Sequence, residues 1–316
     1  MRAKNALKIA VGNYSLVFKN LLYKAVLFIV FALSLGLILN LALQPVIDLI
    51  RPMITAVIQI ISDIIGGISA ESSVTKFQDC VGAFLNYLSA NIGGFVWMAV
   101  ITIIFIFVYR FLSGVSDCTL MILVNEHMAE LSHRGYIGTM VENLKKILVY
   151  QLIDAFSALI WSAIVVLLVW GAFSLLMLFA PLISLFVVTL IVVLAISLYN
   201  TIFSQVMATV LLGSHKNLKQ ALKEGFSIKK ENFWKMFVAY LSTTVILLYL
   251  HITMTVFTFG VGELLLIPFA SLLLVCMRTV DYYTINKKKY FIDYDTIVIP
   301  KELRENDEQL LSNVDI

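Results

Sequence analysis

Charge is what this sequence has least of. Only 14% of its 316 residues are Asp, Glu, Lys or Arg, 60% are hydrophobic, and mean hydropathy is +0.94. A water-facing surface needs about a quarter or more charged residues, so this composition excludes a chain folded wholly in water. Cysteine is scarce too. Cys80, Cys118 and Cys276 lie far apart without a C-x-x-C, which excludes a disulfide framework and a zinc knuckle. Catalytic signatures are also missing: there is no G-x-S-x-G, no P-loop and no G-x-G-x-x-G. Neither Cys118 nor Cys276 has a His nearby in sequence, so no activated thiol is indicated. No enzyme, cofactor or metal is expected.

What is there is apolar length. From Ala155 to Ser214 no residue carries a formal charge. As one straight helix that stretch would be about 90 Å long, some three hydrocarbon thicknesses. It must fold back, and Pro181 in "FAPLIS" marks the turn. Runs long enough to cross a bilayer lie near 25–44, 92–112, 147–170, 182–203, 236–258 and 263–280. The last is short, between Glu263 and Arg278, and Arg278 can snorkel to the interface. Continuous runs of this length are helices, because lipid offers the backbone no hydrogen bonds. The first run is longer than a signal-peptide core and follows residues 1–24, so a cleaved signal is not expected.

Six spans put both termini on one side. All but Arg51 and Lys76 of the 23 Lys and Arg residues then share that side. The positive-inside rule makes it cytoplasmic, and the expected location is a plasma membrane with the termini inside. Lysines beside a membrane are explained by threading and anionic lipid, so no nucleic-acid partner is expected.

Three short pieces recur where spans begin: "KNLLYK" (19–24), "ENLKK" (142–146) and "ENFWK" (231–235). The likeness extends upstream, where "KNALKIAVGNYSLVFKN" (4–20) lies over "KNLKQALKEGFSIKKEN" (216–232) without a gap. "GYIGTMVEN" (135–143) fits with one extra residue. The fold expected is therefore all-α. It is a polytopic bundle of six transmembrane helices in three helix-pair repeats, each preceded by a cytoplasmic interfacial elbow helix. Convergent chemistry competes with true repetition, since any inner-facing start of a span favours Lys, Asn and aromatics.

Elbows of the type "ALKEGFSIKKENFWKMF" before paired spans resemble those of uncharacterised six-span bacterial membrane proteins. They are also similar to the membrane region attached to some glycerophosphodiester phosphodiesterases. The resemblance covers roughly residues 1–280. It implies a bacterial plasma-membrane setting and a helical bundle; without the phosphodiesterase domain it implies no such activity.

Between the first two spans, residues 45–91 form an expected outer hairpin. Asp48, Arg51, Thr55, Gln59 and Ser62 step by three or four and leave a broad apolar face. Val74, Phe77, Val81, Phe84 and Leu88 repeat that period after "GGISAESS". These faces suit a cap on the bundle, the outer leaflet or a protein partner. The tail 281–316 opens with "DYYTINKKKYF", an aromatic and basic collar. A strand in "IDYDTIVIP" and a charged helix in "KELRENDEQLL" follow, and the tail offers a second partner surface.

Ionisable residues at membrane depth are functional candidates. Asp154 lies about seven residues into the third span and His251 about fifteen into the fifth, roughly 12 Å apart in depth. That is too far for a direct pair, so a relay competes with Asp154 bonded within the bundle and His251 acting as a neutral interhelical hydrogen-bonder. Glu130 and His133 in "NEHMAELSHR" have carboxylate-bridged metal spacing, but no second E-x-x-H completes a shell. Two functional readings remain. One is a non-enzymatic accessory or scaffold component of a membrane complex. The other is a transporter or channel for a small solute, ion or lipid, lined by Asp154, His251, Asn200 and Gln205.

Overall fold

The computed structural model describes residues 2–67, 69, 71–129, 131, 135–177, 181–213, 217–293 and 296–300. Its helices are α1 (Arg2–Gly12), α2 (Ser15–Ile65), α3 (Glu71–Ala90), α4 (Ile92–Met128), α5 (Tyr136–Glu142), α6 (Leu144–Met177), α7 (Pro181–Leu212), α8 (Leu218–Phe226), α9 (Lys230–Thr258) and α10 (Glu263–Ile285). Strands β1 (Tyr290–Asp293) and β2 (Thr296–Val298) pair antiparallel, the strand expected in the tail becoming a small hairpin. The expected tail helix, Glu130 and His133, and the turn residues just before Pro181 lie outside the described residues.

The chain is a multi-pass helical protein with seven stretches long and apolar enough to cross a membrane. Six correspond to the runs above; the seventh is Gln44–Ile65, the first arm of the expected hairpin. It continues α2 without a break, so that helix would be about 76 Å long if straight. Hydropathy marks only the lipid-length portion of a helix, which is why α2 and α4 outrun their apolar runs.

Short helices α1, α5 and α8 each precede a long one, α2, α6 and α9. Each turns a narrow face inward and leaves apolar residues outside. Helix α1 buries Ala6, Ile9 and Ala10 while Leu7 and Val11 stay exposed. Helix α5 buries Tyr136 and Thr139 and exposes Ile137 and Val141. Helix α8 buries Ala221 and Gly225, leaving Leu218 and Phe226 outside. Gly225 is a close approach: a Cβ there would stand 2.7 Å from Val206 Cα on α7.

Residues Met1–Val26 with Arg110–Ile316 form one compact unit. Within it α6 lies along α7, α7 contacts α8 and α9, and α10 contacts α1, α7 and α9. Its core joins Val115–Val124 of α4 to Ile147 and Tyr150 of α6, Val206–Ala208 of α7, Met236 and Tyr240 of α9 and Leu272–Met277 of α10. The tail begins differently from expectation: α10 continues through Ile285, and Tyr282, Tyr283 and Tyr290 sit in this core rather than in a lipid-facing collar. Tyrosine suits both sites because its ring is apolar and its hydroxyl can find a partner, here Asn125 Oδ1 at 3.0 Å from Tyr283 Oη.

The second unit is Leu27–Tyr109. Along the end of α2 the least exposed residues are Val46, Leu49, Met53, Ala56, Ile60 and Asp63, a seam alternating three and four. On α3 the seam is Ser73, Phe77, Cys80, Phe84 and Tyr87. That spacing is the a/d pattern of paired helices. Asp63 sits at its end, accepting from Ser73 Oγ at 2.5 Å and Gln59 Nε2 at 2.9 Å. Beside the seam, Ile50, Ile54, Ile58, Ile61 and Ile65 form an exposed apolar face.

Candidate functional site

The ionisable residues of the first unit converge because of helical spacing. Arg110, Gly114, Asp117 and Cys118 of α4 stand at i, i+4, i+7 and i+8, one face of the helix. Ile147, Tyr150, Gln151, Asp154 and Ala155 make the same stripe on α6, and all are buried. Helix α10 adds Ser271 and, two turns later, Arg278; α2 adds Asn20, Tyr23 and Lys24.

Asp154 is the acceptor at the centre of one cluster. It takes Arg110 Nη2 at 3.2 Å, Tyr199 Oη at 2.8 Å and Tyr150 Oη at 3.4 Å. Its side chain is 10% exposed, whereas that of Arg110 is 49% exposed. The Arg110 guanidinium also lies 6.0 Å from the Tyr199 ring centroid, at the outer range of a cation–π contact. Tyr199 is held by stacking on Phe203, with centroids 4.5 Å apart. On the next residue of α7, Asn200 Oδ1 accepts from Arg278 Nη2 at 2.8 Å. Gln151 fastens the same region by donating to Gly114 O at 2.8 Å and to Cys118 Sγ at 2.9 Å.

A second cluster ties α2, α4 and α10. Lys24 Nζ donates to Asp117 Oδ1 at 2.7 Å and to Ser271 Oγ at 2.9 Å. Ser271 Oγ donates in turn to Asp117 Oδ1 at 2.5 Å, and Tyr23 Oη donates to Leu112 O at 3.0 Å. Next to it a chain of neutral hydrogen bonds runs through four helices. Tyr136 and Ser116 hydroxyls meet at 2.5 Å, Ser116 Oγ donates to Asn20 Oδ1 at 2.7 Å, and Asn20 Nδ2 donates to Pro268 O at 3.3 Å. With Ser116 directed at Asn20, Tyr136 is the donor of the first link. Burial pushes the Tyr136 phenol well above its usual range, so it stays protonated and able to donate.

Asn20 comes from the first of the three repeated pieces, and it is fully buried. Its counterpart Asn143 caps α5 and donates to Thr139 O at 3.0 Å. One letter thus serves two purposes, a helix-to-helix bond and a local cap.

Of the four residues singled out from sequence, Asp154 and Asn200 come nearest to sharing a cluster: Asp154 accepts from Tyr199, the residue before Asn200 on α7, and Asn200 accepts from Arg278. His251 falls elsewhere: its Nδ1 meets Glu263 Oε2 at 2.5 Å, and Thr255 Oγ1 donates to Glu263 Oε1 at 3.0 Å. Asp154 and His251 therefore take their partners from different helices. Gln205 is buried, and its Nε2 has no hydrogen-bond partner. Sequence reading passed over Arg110, Lys24 and Asp117, although Arg110 and Asp117 are seven apart on one helical face. Among the described residues, no group of three or more His, Cys, Asp and Glu could hold a metal ion.

No protein family, curated protein or solved structure matches this chain.

Proposed function

We propose that this protein is a non-enzymatic accessory or scaffold component of a membrane complex. One observation carries the reading. Asp117, Asp154, Glu263 and Asp281 are engaged by Lys24, Arg110, His251 and Arg2, each of the four pairs joining different helices. A carboxylate that carries protons or cations must be free to exchange them; these serve as fasteners. The transport reading asks Asp154 and His251 to share one path, and their separate partners favour the scaffold instead.

In this reading the chain crosses a bacterial plasma membrane six times, as three repeats of elbow, inward helix and outward helix. The α1–α2, α5–α6 and α8–α9 pairs support the repeat. An even number of crossings is supported by α1 meeting the end of α10. Arg2 Nη1 donates to Asp281 Oδ1 at 3.0 Å and Asn5 Nδ2 to Tyr290 Oη at 2.9 Å, so α1 lies against the end of α10 and β1. The lysine distribution makes that end cytoplasmic. Partners dock on the outer hairpin 45–91, whose isoleucine face is exposed, or on the tail 281–316.

The deciding experiment is mild-detergent purification of the tagged protein from its own membranes, beside versions lacking 45–91 or ending at Lys289. A stoichiometric partner lost from one of the two shortened versions is expected. A protein that purifies alone from all three overturns the scaffold reading.

A further inference from the structure

Helix α2 keeps one face free of its own chain. Phe31 packs on Phe105 and Tyr109 of α4, with ring centroids 5.9 and 5.6 Å apart. The seam that ends at Asp63 faces α3, where Ser73 donates to it. A third face carries Ile47, Ile54 and Ile61 at steps of seven, with Ile50, Val57 and Ile64 three residues after each. All six are exposed. They occupy the a and d positions of a heptad, the spacing by which parallel helices interlock. Pro45 and Pro52 both stand at f, on the opposite side, so neither ring interrupts the stripe.

The stripe reaches back into the apolar run 25–44. Ile29, Leu33 and Asn40 continue the same two columns, and all three are exposed. Ser34 and Gln44 in that run settle their polar groups within the helix, on Val30 O at 2.7 Å and Asp48 Oδ1 at 3.1 Å. Asn40 has no hydrogen-bond partner among the described residues. Hydrocarbon offers an amide nothing, so an exposed Asn at this depth calls for a polar group from another helix. Beyond residue 44 the need is the reverse. There α2 continues past its lipid-length run, and a contiguous strip of Ile and Val is poorly accommodated by water. Lipid cannot serve the amide and water cannot cover the strip. A neighbour that carries an amide and then a strip of the same length, in the same order, meets both needs.

We propose, building on the six-crossing scaffold reading, that α2 packs along α2 of a second copy of this chain, parallel and in register. The two Asn40 amides then meet and the isoleucine columns interlock. Copies threaded by the same rule share one orientation, so pairing about an axis along the membrane normal is parallel. From Ile29 to Ile64 the stripe rises about 53 Å and is about 10 Å wide, so a pair covers about 1,000 Å², where specific interfaces begin. The a-position Asn fixes the register, since a slip of one heptad sets each amide against Leu33 or Ile47.

Disulfide trapping in native membranes tests the pairing, in the full chain carrying Cys80→Ser and with copper–phenanthroline as oxidant. Cys118 and Cys276 are buried and stay in place. Ile47→Cys and Ile54→Cys should each give a product of twice the chain's mass. The yield should exceed several-fold that of Thr55→Cys, which is exposed on another face of the same turn. Ile61 is one turn from the end of α2, where helices fray, so a thiol there stays open to reagents. Two trapping positions a heptad apart keep the test intact if one variant fails to fold. No dimer at either position overturns the self-pairing, as does an equal yield from Thr55→Cys. A product of another mass also overturns it, because a different protein then covers the face, and leaves the scaffold reading standing. A trapped dimer from a chain that purifies without other proteins upholds the self-pairing and overturns the scaffold reading instead.

Discussion

Gly114 and Gln151 share one space. A Cβ built on Gly114 would stand 2.0 Å from Gln151 Oε1 and 2.4 Å from its Cδ, so the amide of α6 lies where α4 has no side chain. Only glycine at 114 lets Gln151 donate to its carbonyl and to Cys118. Gly114→Ala should expel that amide, break both bonds and lower stability by about 1–3 kcal/mol. At roughly 2–4 °C per kcal/mol, Tm should fall by about 2–12 °C. Gln151→Ala in the same chain should remove the clash, and a double-mutant cycle by thermal melt checks the coupling.

Gly225→Ala should be worse tolerated than its neighbours allow elsewhere. Here the obstacle is the Val206 backbone, 2.7 Å from the new Cβ, which cannot swing aside as a glutamine can. Helix α8 must lift from α7. Limited proteolysis of the 213–230 segment should accelerate several-fold, whereas Gly138→Ala, with nothing within 4 Å of its Cβ, should leave cleavage unchanged.

Arg110→Leu leaves the Asp154 carboxylate buried without its cation. Breaking a buried pair costs about 3–5 kcal/mol, and the half-exposed arginine places this case at the lower end. The expected Tm loss is roughly 6–12 °C. Arg110→Leu with Asp154→Leu should recover at least half of it, because both charges leave together. Additive losses would show that the two residues are not coupled.

Tyr136→Phe removes the first donor of the hydrogen-bonded chain to Pro268 and should cost about 1 kcal/mol at neutral pH. Its pH dependence has a definite sign. A phenol whose pKa is raised by folding holds its proton more tightly in the native state. Its contribution is therefore complete below the unfolded value of about 10 and declines as pH rises past it. Tm against pH above that point should fall less steeply in Tyr136→Phe than in the parent.

The orientation is checked by impermeant thiol labelling after Cys80→Ser, since Cys80 is itself partly exposed on the hairpin. Ile61→Cys, with Ile61 52% exposed, should react in intact cells, and Lys289→Cys only after permeabilisation. Reversed labelling would place the termini outside.

The elements were far more legible than the contacts. Apolar length marks the long helices, and the likeness around the three Asn-containing pieces falls on the short helices α1, α5 and α8 and the starts of α2, α6 and α9, because both signals are local in the chain. Ion pairing is not local. Lys24 and Asp117 are 93 residues apart and Arg110 and Asp154 are 44 apart, so each reads alone as a span boundary or an isolated charge. The tyrosines of the tail misled for a different reason: an amphipathic ring fits a membrane interface and a hydrogen-bonded core equally well. Asp154 and Asn200 could be picked as polar letters in apolar runs, but Arg278, which donates to Asn200, looked like a snorkelling anchor.

The seating of α1 has a consequence in time. Its ties are to Asp281 on α10 and Tyr290 on β1, 279 residues beyond Arg2 and 285 beyond Asn5 in the chain. At about 5–20 residues per second, some 15–60 s pass between synthesis of Arg2 and the appearance of its counterpart. Through that interval Arg2 and Asn5 await these counterparts, and α1 is fastened only once α10 and β1 exist.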